Sequence, residues 1–201
     1  VSLISHTPEA GQAREEAARC LHCDTICNVC VSVCPNLANM GYTIDPVHYQ
    51  LQKAVLMADG TIGFAEGEPF TVNQPYQVLN IRDFCNECGN CTTFCPSSGS
   101  PFKDKPGLCL TISTLNHEGS GFFLSRFPDR DVLIFKEKGH VRTLTATGDQ
   151  LIYETDQVRA LLRASDFRLE KVEFLTPCVK EFHFHFAAEM SIILKGARQI
   201  I

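Results

Sequence analysis

Apolar and polar residues alternate most clearly in the second half of the chain. The stretch DVLIFKEKGHVRTLTATGDQLIYE, Asp131 to Glu154, is punctuated at Gly139 and at Gly148-Asp149, which predicts three strands of a meander. Thr155 then reads as a helix cap, and Val158, Leu161, Leu162 and Ser165 supply an apolar stripe, so DQVRALLRAS is expected to be a short helix. LEKVEFL and EFHFHFAAEMSIILKG return to a strand pattern, with Phe182, Phe184 and Phe186 on one face and His183 and His185 on the other. Near the start, Thr7-Pro8-Glu9 opens a helix that runs to about Cys20. HYQLQKAVLM, around His48 to Met57, is weakly periodic, ADGT and EGEP mark turns, PYQVLNI predicts a strand, and SSGSPFKDKPG reads as loop.

These patterns give an α+β chain in two parts. Residues 1–125 are loop-rich and carry the cysteine runs, and residues 126–201 form a small α+β domain. Composition sharpens that division. Eleven cysteines are present, and RCLHCDTICNVCVSVCP and CNECGNCTTFCP hold nine of them. Neighbouring thiols two and three residues apart make a poor disulfide framework and a good soft-metal ligand set. Residues 1–125 hold 6 Lys/Arg against 12 Asp/Glu, while residues 126–201 hold 12 against 11. The acidic half disfavours nucleic acid and suits docking on a basic redox partner. The opening VSLISHTPEAGQ lacks a leader pattern and no apolar run nears about 18 residues. A cytoplasmic chain without a membrane span is expected.

Cys85, Cys88, Cys91 and Cys95-Pro96 follow C-x2-C-x2-C-x3-C-P, the bacterial ferredoxin spacing, in which three thiolates bind one 4Fe–4S cluster and the fourth binds another. Two-residue gaps let successive thiolates reach adjacent irons, Gly89 permits close wrapping and Pro96 turns the chain away. Zinc competes for such thiolates, but its sites more often pair two C-x2-C units across a long spacer. The first run ends the same way, Cys27-x2-Cys30-x3-Cys34-Pro35, with Asp24 where the regular spacing has a cysteine and Cys23 one residue before it.

The crossed arrangement assigns Cys23, Cys27, Cys30 and Cys95 to one 4Fe–4S cluster, and Cys85, Cys88, Cys91 and Cys34 to a second. Cys20 stands either as a ligand in place of Cys23 or Cys27, or as a thiol packed at the helix end. Asp24 is a hard donor and a poor ligand beside thiolates. Cys109, in GLCLTI, reads as a small buried hydrophobe, and Cys178 as structural. His183 and His185 read as exposed or packed imidazoles rather than as metal ligands, and Lys103 and Lys105 either screen cluster charge or belong to an ordinary loop.

EEAARCLHCDTICNVCVSVCPNLANM, with IRDFCNECGNCTTFCP and PFKDKPG, resembles the C-terminal iron–sulfur part of the selenate reductase subunit family. EAARCLHC is also similar to an element of the glutamate synthase small-subunit family, which includes the iron–sulfur module of dihydropyrimidine dehydrogenase. In that wider family Cys20 and Cys23 match the first two cluster ligands, and Cys30 and Cys34-Pro35 the later pair. The resemblance implies a bacterial-ferredoxin-like two-cluster module with a long insertion between its motifs, and FAD and NAD(P)H on an upstream portion or partner. No GxGxxG fingerprint occurs in this chain. The expected role is an iron–sulfur domain relaying single electrons between a flavin/nicotinamide reductase and another redox subunit, not catalytic alone. The alternative is a structural or partner-docking module stapled by the clusters.

Overall fold

The computed structural model describes residues 27–201. In chain order its strands are β1 (Asn39–Thr43), β2 (Val47–Leu56), β3 (Ile62–Val72), β4 (Tyr76–Ile81), β5 (Gly107–Cys109), β6 (Ser120–Arg126), β7 (Asp131–Glu137), β8 (His140–Thr147), β9 (Gln150–Glu154), β10 (Val158–Arg163), β11 (Leu169–Phe174) and β12 (Glu181–His183). The helices are α1 (Val29–Ser32), α2 (Asn90–Thr93), α3 (Pro101–Asp104), α4 (Ile112–Glu118) and α5 (His185–Ile200). The helix expected up to Cys20 lies outside the described residues.

The architecture is α+β, built on a nine-stranded sheet in the order β1-β4-β5-β6-β7-β8-β9-β10-β11 and a three-stranded sheet β12-β2-β3. Among the described residues only β4-β5 and β5-β6 are parallel pairs. Parallel neighbours need crossover connections, and the second cysteine run lies within the first of these crossovers. A separate ferredoxin-like module is not evident among the described residues. β6 spans residue 125, and the large sheet draws strands from both sides of it.

The meander expected from Asp131 to Glu154 is present as β7, β8 and β9, with turns at Gly139 and Gly148. PYQVLNI forms β4 from Tyr76 on, and HYQLQKAVLM lies in β2 as far as Leu56. EGEP lies inside β3, where Gly67 and Glu68 face Leu51 across a register shift. DQVRALLRAS is not a helix. Val158, Ala160 and Leu162 are buried while Arg159 and Arg163 are exposed, and pairing with β9 on one side and β11 on the other settles this segment as β10. EFHFHFAAEMSIILKG is strand only through His183. From His185 on the chain is α5, whose Ala187, Ala188, Met190, Ile193, Leu194 and Ala197 are buried. The two-residue spacing of Phe182, Phe184 and Phe186 imitates a strand across the start of this helix.

One apolar core joins both sheets through α5, and includes Leu79, Leu108, Leu133, Leu144, Leu162 and Phe184. Gln199 of α5 also covers the outer edge of β1, donating from Nε2 to the Thr43 carbonyl at 2.7 Å and accepting from the Thr43 N–H at 3.2 Å. Such cover satisfies edge groups that could otherwise pair with another chain. No helix among the described residues is long and apolar enough to cross a membrane.

Burial pushes the phenols of Tyr42 and Tyr153 up to about 12 each and the Cys109 thiol up to about 11. The folded state therefore holds these protons after the unfolded chain has released them. The stability this confers is present below the unfolded values of 9.0 for the thiol and 10.0 for the phenols, and is lost as pH rises through the folded ones. Urea midpoints are expected to hold near about pH 8 and to fall steeply between about pH 10 and 12, and Tyr42→Phe should flatten that fall.

Candidate functional site

Strand pairing brings the two cysteine runs together. In the antiparallel pair β1-β4, Asn39 lies opposite Asn80, so the entry to β1 sits beside the exit of β4. Cys34 precedes that entry and Cys85 follows that exit. The Ile81 N–H donates to the Ala38 carbonyl at 2.7 Å and extends the pairing toward the cysteines.

The runs fold as twins. In α1 and α2 the second residue is a buried cysteine, Cys30 or Cys91, and a Cys-Pro pair follows each helix. Cys34 Sγ accepts the Ala38 N–H at 3.2 Å, and Cys95 Sγ accepts the Gly99 N–H at 3.3 Å. Each turn contains a residue of φ 55°, Leu37 or Ser98. The hydroxyl on the last residue of each helix repeats as well: Ser32 Oγ donates to the Asn28 carbonyl and Thr93 Oγ1 to the Gly89 carbonyl, both at 3.2 Å. The proline after each cysteine starts a turn that folds a downstream N–H back onto sulfur. Cys95 also lies 3.3 Å from Ser97 Oγ, and this hydroxyl, with the Gly99 amide and the charge of Lys105, holds its thiol below the ordinary range. Burial raises that of Cys30.

A buried polar chain ties the twins. Asn39 Nδ2 donates to the Cys30 carbonyl at 3.0 Å, Asn80 Nδ2 donates to Asn39 Oδ1 at 2.9 Å, and Arg82 donates to Asn80 Oδ1 at 3.1 Å. Arg82 also donates to the Phe102 carbonyl beyond the second run. Its side chain crosses Gly107, where a Cβ would lie 2.1 Å from Arg82 Nε. Asn39, Asn80 and Arg82 do not stand out in sequence as site residues. The available signal was a polar residue inside the apolar run VLNI, because a buried amide needs a partner.

Cys34, Cys85, Cys88 and Cys91 line one narrow cleft with Asn39, Asn80 and Gly89. Cys30 and Cys91 share a small apolar cluster with Val78. Cys95 lies apart from that lining, engaged with its own turn, and Cys27 is half-buried. Cys20 and Cys23 lie outside the described residues. Among the described residues no three His, Cys, Asp or Glu side chains are grouped so as to hold a metal ion. The expectation of two 4Fe–4S clusters is therefore corrected. Among the described residues the thiols form no disulfide, the sulfurs of Cys34 and Cys95 accept hydrogen bonds from their own turns, and Cys30 and Cys91 are packed in the apolar cluster.

Cys109 is fully buried as a small hydrophobe, whereas Cys178 is exposed. His183 pairs with Glu181 at 2.7 Å and His185, the first residue of α5, with Glu189 at 3.3 Å, so the two imidazoles do not share a strand face. Lys103 lies over the Phe102 ring at 5.2 Å.

No protein-family model matches the chain, and no solved structure matches it. The chain is similar to the protein described as "Putative oxidoreductase YgfK" of Escherichia coli strain K12, with 34% identity over 129 residues, and to the same extent to its counterpart in E. coli O157:H7. The matched stretch covers 62% of this chain and 10% of each relative. The chain thus spans about a tenth of the length of the curated relatives it matches. The similarity is to an oxidoreductase in general, without specifying a selenate reductase or an iron–sulfur module.

Proposed function

We propose that the chain is an electron-transfer part of a larger oxidoreductase, relaying single electrons between a flavin/nicotinamide reductase portion and another redox partner. The observation that carries this reading is the pair of twin cysteine turns, held side by side by the Asn39–Asn80 pairing and each with an N–H donated to sulfur. Donors aimed at sulfur stabilise electron-rich sulfur, which suits a site whose charge changes during a redox cycle. The similarity to a much longer oxidoreductase supports placing the chain beside other redox portions.

A second reading, a structural or partner-docking module, is favoured by the absence of a ready metal-holding group among the described residues. The two separate in one anaerobic experiment. The full chain is mixed with a reduced flavoprotein reductase and a slow artificial acceptor. A relay accelerates acceptor reduction, whereas a docking module binds the reductase without changing that rate.

A further inference from the structure

A second groove has none of the cysteines in its lining. An open groove with a volume of about 560 Å³ runs between the β2-β3 hairpin and the turn joining β10 to β11, a size within the usual range for small-molecule sites. His48, Tyr49, Phe64 and Glu66 form one wall, and Asp166 and Arg168 are on the other.

Both walls depart from regular backbone. In β3, Gly67 and Glu68 oppose the single residue Leu51, and a Cβ on Gly67 would lie 3.1 Å from the Leu51 carbonyl oxygen. In the facing turn, Phe167 has φ 58°, a left-handed conformation that bulky residues adopt only under constraint. Its ring is buried and stacked on Tyr49, with centroids 5.2 Å apart and planes 19° from parallel. Gln52 Oε1 accepts the Leu169 N–H at 3.0 Å and fastens the walls together. A bulge and a strained turn that converge on one cleft are features that cluster at binding sites.

The charges in the groove select its ligand. Asp166 is engaged by Arg163 at 3.3 Å, whereas Arg168 and Glu66 make no ion pair among the described residues. One cation and one anion therefore face the groove with their charge uncommitted, beside the exposed ring of Phe64. We propose that this groove binds a small zwitterion with an apolar body, such as an aromatic amino acid or a dipeptide. Arg168 receives its carboxylate, Glu66 its ammonium group, and Phe64 packs on its side chain.

The test is calorimetric titration of the full chain with L-phenylalanine, and with N-acetyl-L-phenylalaninamide, which keeps the ring and lacks both charges. Saturable binding of L-phenylalanine is expected, at least tenfold weaker in Arg168→Gln and in Glu66→Gln, and at least tenfold weaker for the capped analogue. Both variants alter exposed side chains, so thermal unfolding is expected to match that of the parent and to separate lost binding from lost folding. No saturable binding up to about 10 mM, near the weak limit of specific recognition, would overturn the proposal. So would binding that neither variant changes, or equal affinity for the capped analogue.

Discussion

Gly196→Val is expected to lower the unfolding free energy by about 3 kcal/mol, the upper part of the range for inserting bulk into a packed core. Gly196 lies in α5 where the helix crosses β1, and a Cβ there would sit 2.6 Å from Cε2 and Cζ of Tyr42. That ring is itself buried, at 5% exposure, and cannot swing into solvent. The helix must therefore lift from the sheet, taking Gln199 away from the edge of β1. Urea denaturation measures the loss. Gly196→Val combined with Tyr42→Leu should lose less than the sum of the two single losses, because the two positions share one contact and are not additive. A fully additive double variant would show that the helix is not seated on Tyr42.

Asn80→Leu is expected to cost roughly 2–6 kcal/mol, since buried Asn39 and part-buried Arg82 each lose a hydrogen bond at about 1–3 kcal/mol. Asn80 is fully buried and Asn39 2% exposed, so water does not replace the lost amide without local opening. Asn39 Oδ1 loses its donor and Arg82 keeps only the Phe102 carbonyl among these partners. The loss falls between the twin turns, so thiol exposure should change along with stability. Maleimide labelling of Cys30 and Cys91, 6% and 7% exposed in the fold, should quicken under native conditions. Unchanged labelling with an unchanged urea midpoint would show that the polar chain does not hold the runs together.

The parts of the molecule governed by local chemistry are legible in the sequence. Gly139 and Gly148 punctuate the meander because a positive φ is needed there, and the structure places turns at both. Cys34-Pro35 and Cys95-Pro96 were legible as equivalent chain reversals. The segments misread from sequence were decided by tertiary contacts. Val158, Ala160 and Leu162 alternate with arginines, but Leu161 beside Leu162 also imitates a helical stripe, and only the flanking strands β9 and β11 choose between them. Phe182, Phe184 and Phe186 imitate a continuing strand, although the chain turns into α5 after Phe184. The candidate site was legible in its cysteines and not in its assembly. Spacing implied two ligand sets: Cys34, Cys85, Cys88 and Cys91 do line one narrow cleft, whereas Cys95 is engaged with its own turn and Cys20 and Cys23 lie outside the described residues. Asn39 and Asn80 join the two runs through strand register, which is fixed only once β1 and β4 have paired.

Potentiometric titration of the full chain without oxygen, followed by absorbance and paramagnetic resonance, addresses electron transfer most directly. An electron-transfer part must show a reversible transition of about 59 mV per decade, the slope of a single-electron couple, and the same midpoint in both directions. A chain that takes up no electrons between about −700 and +450 mV, while remaining folded, would contradict that role.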